Sequence, residues 1–76
     1  MRLEYRSERR GYSVSLERDL FGTWLLVRCW YGLNSRRGGL LRLPFEDEAS
    51  ALAEMNRIDA RRLRRGYRRV QGKAKA

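Results

Sequence analysis

Few side chains in this chain could do chemistry, and their types favour binding over catalysis. Histidine is absent, so the group that most often moves protons near neutral pH is missing. One cysteine without histidine excludes the usual zinc sites. Three adjacent acids at residues 46–48 suit the start of a helix better than a pair of facing catalytic carboxylates. We therefore predict a protein that is not an enzyme and has no catalytic residue, metal or cofactor.

Aromatic and basic side chains remain, in a pattern typical of nucleic-acid binding. Trp30 and Tyr31 end an apolar run, and Arg36 and Arg37 follow a few residues later. Aromatic faces stack on any base or sugar, and the planar guanidinium suits phosphate. Arg28 stands two residues before Trp30, so the two share one surface of a strand. The other predicted nucleic-acid-binding residues lie near the C-terminus: Arg61, Arg64, Arg65, Arg68 and Arg69.

Positive charge is concentrated in the last quarter of the chain. The formal net charge is +9 and the sequence pI is about 11.0. From Arg57 onward the chain carries nine lysines and arginines and one acid. Such a block speeds the capture of polyanions, of which nucleic acid is the commonest. The alternative interpretation is a solvated basic surface without a specific partner.

A run rich in aromatic and aliphatic side chains at residues 23–31 is the most distinct structural signal. Such side chains favour strands, and alternate residues of a strand share a surface. One surface therefore carries Trp24, Leu26, Arg28 and Trp30, and the other carries Leu25, Val27, Cys29 and Tyr31. Because both surfaces are partly apolar, we expect a central strand. We expect Trp24 to be structural, whereas Trp30, beside a basic loop, is functional or half-exposed.

Shorter alternating patterns predict further strands at residues 3–6, 12–16 and 40–43, the last stopped by Pro44. Their connections are short, which predicts an antiparallel sheet. One helix follows the acids at residues 46–48 and ends at Gly66, with an apolar stripe that packs on the sheet. Residues 67–70 could return as a short strand. The predicted fold is α+β, an antiparallel sheet of about four strands with one long helix across it.

The composition bounds the protein further. Seventy-six residues make one domain, which we place at residues 1–70, followed by a basic, disordered tail at 71–76. No apolar run approaches the ~18 residues of a transmembrane helix, and the N-terminus lacks the apolar block of a signal peptide. The lone Cys29 is expected to be a small, buried or half-buried residue. These features predict a cytoplasmic protein without a membrane partner.

The order of these motifs resembles the WGR domain, which is named for a Trp-Gly-Arg motif. The resemblance begins in the segment from Leu20 to Trp30 and continues through Leu33-Asn34-Ser35 and Gly38. Further matches are Tyr12-x-Val14, Phe45, Glu48-Ala49, Ala51-Leu52 and Arg65-Gly66-Tyr67, so that residues 3–70 are covered. The resemblance implies a small stand-alone bacterial protein with an antiparallel sheet and one helix.

In poly(ADP-ribose) polymerases the WGR module binds DNA near strand breaks, with the motif Trp packed on the terminal nucleotide. The resemblance transfers that role to Trp30. Tyr31 and Gly32 stand where the motif has Gly and Arg, and allowing one inserted residue places the motif Arg on Leu33 instead. Neither alignment supplies the arginine, so Arg36 and Arg37 are the candidates to take over phosphate contact.

We therefore predict a nucleic-acid-binding module whose partner is DNA rather than RNA. Binding is expected to be phosphate-driven and weakly sequence-selective, with a strand-end or break preference left open. The alternative is a non-catalytic adaptor whose basic surface docks an acidic protein partner. The pattern leaves the oligomeric state open.

Overall fold

Five strands form one antiparallel sheet with one helix packed across it in the computed structural model, which describes residues 1–33 and 36–70. The strands are β1 (Arg2–Arg6), β2 (Arg10–Arg18), β3 (Trp24–Gly32), β4 (Gly38–Phe45) and β5 (Arg68–Arg69), and the helix is α1 (Glu48–Arg64). The predicted α+β class is confirmed. The sheet has one strand more than the four expected, because the chain after the helix returns to pair with β1.

The strands lie in the order β4-β3-β2-β1-β5, and all neighbours are antiparallel, as the short connections predict. β3 is an interior strand between β2 and β4, which agrees with its two partly apolar surfaces. The register places Trp30 opposite Tyr12 on one side and Gly39 on the other. Leu26 lies opposite Leu16 and Leu43.

The core lies between the sheet and α1. Of the apolar stripe predicted for the helix, Ala51, Met55 and Ile58 are buried and Leu52 is partly buried, whereas Leu63 is 43% exposed. The buried cluster consists of Tyr5, Tyr12, Val14, Leu26, Met55 and Ile58. The strand residues of this cluster are on the helix-facing surface of the sheet. The other surface, which we call the outer surface, carries Cys29 and is not covered by the helix.

Local signals set both ends of α1. The carboxylate of Asp47 accepts a hydrogen bond from the backbone N–H of Ser50 at 2.7 Å, which caps the helix and lowers the pKa of that carboxyl. At the other end Gly66 has φ 95°, and the N–H groups of Gly66 and Tyr67 donate to the carbonyls of Leu63 and Arg62. This is the Schellman arrangement, so Gly66 ends the helix as predicted.

Three details refine the predicted elements. β4 runs through Pro44 to Phe45 instead of stopping at Pro44, and this is possible because β4 is an edge strand. Trp24 is half-buried and lies outside the buried cluster. Cys29 is half-buried and has no disulfide partner within the described residues.

Asn34, Ser35 and the predicted tail at 71–76 lie outside the described residues. Within the described part of the chain, no helix has the length and apolar character needed to cross a membrane.

Candidate functional site

A cleft of about 1080 Å³ lies at the end of the sheet where β2 begins and β3 ends. We call it the aromatic cleft. The described residues that line it are Arg9, Arg10, Gly11, Tyr12, Arg28, Trp30, Tyr31, Gly32, Arg36, Arg37, Gly38, Arg62 and Tyr67. Strand ends, the β3–β4 loop and the last turns of α1 therefore meet at one site.

Tyr12 organises the wall of the aromatic cleft. Its buried ring is stacked with Trp30 at a centroid distance of 6.5 Å and an interplanar angle of 21°. The ring of Tyr67 approaches it edge-on at 6.1 Å. The guanidinium of Arg62 lies 4.6 Å from the centroid of Tyr12, and the Nε of Arg28 donates to its hydroxyl at 2.7 Å. One tyrosine thus holds an indole and two cations in defined positions.

Two glycines make room for the aromatic side chains at this end of the sheet. A Cβ built on Gly39 would lie 2.5 Å from the indole of Trp30, so the ring rests directly on that backbone. On the outer surface a Cβ on Gly11 would lie 2.2 Å from the ring of Tyr31. Trp30 keeps 39% of its surface exposed. Its ring is therefore accessible but fixed in orientation.

The charged residues known to line the aromatic cleft are all positive. Six arginines line it, and none of its described lining residues is acidic. In the described part of the chain no acid forms an ion pair with Arg9, Arg10 or Arg36. By contrast Arg57 is paired with Glu54 on the helix surface. Among the described residues, no carboxylate therefore neutralises the positive charge that Arg9, Arg10 and Arg36 bring to the cleft.

Half of the predicted site residues come together in this cleft. Trp30, Tyr31, Arg28, Arg36 and Arg37 line it, although they are separated by up to nine positions in the sequence. Trp30 is half-exposed beside the two loop arginines, as predicted.

The other five predicted residues do not line the aromatic cleft. Arg61 is half-buried on α1, while Arg64 and Arg65 are exposed at its end. Arg68 lies directly opposite Arg6 across the β1–β5 pair, in a separate small depression. These arginines contribute charge near the site without meeting its aromatic wall.

Arg69 has a structural contact instead. Its Nε donates to a carboxylate oxygen of Asp59 at 2.9 Å, and a second guanidinium N–H donates to the other oxygen. The hydroxyl of Tyr5 also donates to Asp59, at 2.7 Å. The Arg69 hydrogen bonds hold the pKa of Asp59 below its usual range, and burial raises the pKa of Tyr5. Arg69 thus links β5 to the helix. The sequence-based prediction assigned it to nucleic-acid binding from its position among the C-terminal arginines.

Sequence reasoning missed five lining residues: Arg9, Arg10, Tyr12, Arg62 and Tyr67. For Arg62 a signal was present, because it follows Ile58 by four positions and so continues the buried stripe of α1. An arginine at such a position must lie along the core with its guanidinium at the margin. Tyr12 was expected only as an inward-facing core residue.

Comparison with protein-family models, with curated proteins and with solved structures found no match. The resemblance to the WGR domain therefore stays a prediction.

Proposed function

We propose that this domain binds nucleic acid, DNA rather than RNA, in the aromatic cleft. The observation that carries the proposal is a half-exposed indole, fixed against Tyr12, in a cleft lined by six arginines and no described acid. Stacking on an aromatic side chain tolerates any base, and arginine contacts phosphate irrespective of sequence. Binding of this kind is weakly sequence-selective.

Preorganisation of the aromatic wall supports the proposal. The backbone of Gly39 and the ring of Tyr12 already hold Trp30, so little side-chain freedom is lost when a base or sugar packs on it. Arg28 is held by the hydroxyl of Tyr12, and the guanidinium of Arg62 contacts the rings of both Tyr12 and Tyr67. Their guanidinium groups would meet phosphate without first being ordered.

The charge pattern supports the same partner. Within the described residues Arg9, Arg10 and Arg36 have no acidic partner. A polyanion supplies acceptors to all of these groups together. The resemblance of Trp30 to the WGR motif Trp adds support for a preference for strand ends, which we include in the proposal.

Titration of the purified protein with single-stranded, blunt, nicked and circular DNA at several salt concentrations tests this function. We expect dissociation constants in the micromolar range that rise steeply with salt, since each phosphate contact on duplex contributes a slope of roughly −0.9. No binding at low salt, or a flat salt dependence, would contradict the proposal. Robust capture of an acidic protein in its place would favour an adaptor.

A matched pair of variants separates a localised site from general charge. Arg10→Ala with Arg36→Ala removes two cations from the cleft, and Arg64→Ala with Arg65→Ala removes two exposed cations outside it. We expect the first pair to weaken binding more and to erase any preference for ends. The second pair should weaken all DNA forms in equal proportion. Equal losses for both pairs would show that no localised site exists.

A further inference from the structure

The end of the sheet opposite the aromatic cleft carries two fully displayed apolar side chains. Leu20 and Phe21 lie in the turn between β2 and β3 and are 98% and 91% exposed. We call this pair the apolar tip. Leaving an apolar side chain in water forgoes roughly 25 cal/mol for each Å² that could be buried. Two such neighbours on one turn indicate a contact surface.

Hydrogen bonds hold the turn that presents the apolar tip. One carboxylate oxygen of Asp19 accepts the backbone N–H groups of Phe21 and Thr23, each at 2.9 Å. Gly22 has φ 86°, which only glycine adopts readily, and its carbonyl accepts from the Nε of Arg18 at 3.3 Å. The guanidinium of Arg18 lies 4.9 Å from the Trp24 ring centroid. Leu20 and Phe21 are therefore presented in a defined geometry.

Acidic residues gather at the same end of the sheet as the apolar tip, where Arg18 also lies. The register places the end of β2, the start of β3 and the end of β4 side by side, and α1 begins directly after β4. Five of the nine acids of the chain are therefore gathered at this end: Glu17, Asp19, Glu46, Asp47 and Glu48. A negative collar repels nucleic acid and anionic membranes and attracts a cationic surface.

We infer that the apolar tip of one molecule docks in the aromatic cleft of a second copy of this chain. The cleft offers aromatic side chains for Leu20 and Phe21, and its arginines complement the acidic collar in sign. Its volume of about 1080 Å³ is at the upper end for small-molecule sites, so it has room for two apolar side chains. The two surfaces lie at opposite ends of a molecule 37 Å long, so the apolar tip cannot reach the aromatic cleft of its own molecule.

A contact between two different surfaces of identical chains is heterologous, and it extends into open head-to-tail chains unless rotation closes a ring. The contact is small, so association is weak and depends on protein concentration. This inference goes beyond the proposed function and stands without it. If the aromatic cleft also binds nucleic acid, DNA competes with the tip and dissociates the chains.

Sedimentation velocity of the purified protein over a range of concentrations measures the association. We expect the weight-average mass of the wild type to rise with concentration. Leu20→Ser with Phe21→Ser should weaken association by roughly a hundredfold, because two apolar side chains lose their buried site. Leu40→Ser is the matched control, since Leu40 is 50% exposed on the outer surface away from the tip, and it should associate as the wild type does.

Complementation identifies the two surfaces. A cleft variant, Arg10→Glu with Arg36→Glu, keeps its apolar tip, while the tip variant keeps its cleft. Each should be monomeric alone, and an equimolar mixture should form dimers that do not extend. Both variants change exposed side chains, so thermal melts close to wild type will confirm that they fold.

Three results would overturn this inference: a wild type that stays monomeric, a tip variant that associates normally, or a mixture that remains monomeric. A monomeric wild type would assign the apolar tip to a different partner. DNA titration of the tip variant separates this inference from the proposed function. Unchanged or tighter DNA binding shows that the cleft is intact, whatever the association data give.

Discussion

The two ends of the sheet use the same kinds of side chain for opposite purposes. At the cleft end, Trp30 lies beside Tyr12, and six arginines but no described acid line the cleft around it. At the tip end, Trp24 lies beneath the guanidinium of Arg18, which also holds the Gly22 carbonyl. At the tip end the guanidinium of Arg18 thus stabilises a turn against Trp24, whereas at the cleft end the arginines contact tyrosine rings and line an open site with Trp30.

The polarity of α1 explains why the charges separate. The helix begins at Glu48 near the tip and ends at Arg64 near the cleft. Acids favour the N-terminal end of a helix dipole and cations favour the C-terminal end. Because α1 crosses the sheet from one end to the other, a local rule for helix stability also produces a molecule with one acidic and one basic end.

The largest expected difference concerns the two tryptophans, which lie on the same surface at opposite ends of β3. Trp24→Ala should lower the free energy of unfolding by roughly 2–3 kcal/mol, less than for a fully buried indole, and leave DNA affinity unchanged. Trp30→Ala should lower stability by only about 1 kcal/mol and weaken DNA binding by about 1–3 kcal/mol. Urea melts and DNA titrations of both variants measure this. If Trp30→Ala destabilises more than Trp24→Ala, Trp30 belongs to the core.

Asp59 should stabilise the fold in a pH-dependent way without acting in the cleft. Its pKa is lowered in the folded state, chiefly by Arg69. Its contribution is therefore present above the unfolded pKa of about 3.9 and is lost as the pH falls through the folded value. Asp59→Asn should lose about 1 kcal/mol at neutral pH and show a smaller further loss below pH ~4.

Melts across acidic pH, compared with Glu54→Gln, test this role of Asp59. Glu54 pairs with Arg57, whose side chain is 62% exposed, so its loss should change little. Identical acid profiles for the wild type and Asp59→Asn would contradict the assignment of Arg69 to the fold.

Gly39→Ala should disturb the cleft without removing any charge. The added Cβ would lie 2.5 Å from the ring of Trp30, so the half-exposed indole must move from its position beside Tyr12. We expect a change in stability below about 1 kcal/mol and a severalfold loss of DNA affinity. Tryptophan fluorescence and DNA titration, with Leu40→Ala as the control, measure both. Unchanged affinity would show that the position of the indole does not matter.

The smallest expected effect is at the tip. Asp19→Ala removes the acceptor for two backbone N–H groups and should lower stability by about 0.5–1 kcal/mol. Hydrogen exchange at the Phe21 amide should become faster. Asp19→Asn keeps a side-chain oxygen and should restore slow exchange, because an amide carbonyl accepts as well. Equal exchange in both variants would show that Asp19 does not order the turn.

Local patterns in the sequence were sufficient for the elements and for half of the site. Period-two alternation predicted β2, a run of aromatic and aliphatic side chains predicted β3, and helical spacing predicted α1 with Gly66 as its end. The predicted pairing of Trp30 with Arg28, Arg36 and Arg37 needed only one strand and the loop that follows it. Each of these features depends on residues within a few positions of one another.

Only the tertiary structure decided the rest of the site, because those residues are distant in sequence. Packing of α1 across β2 and β3 brings Arg62 and Tyr67 to Tyr12, which lies fifty or more positions away in the sequence. The same packing brings Arg69 within hydrogen-bond distance of Asp59. The sequence alone does not distinguish Arg69 from the other arginines near the C-terminus. Charge and periodicity are local properties of a chain. Which arginines remain without an acidic partner is determined by side chains that meet only after the sheet and the helix have packed.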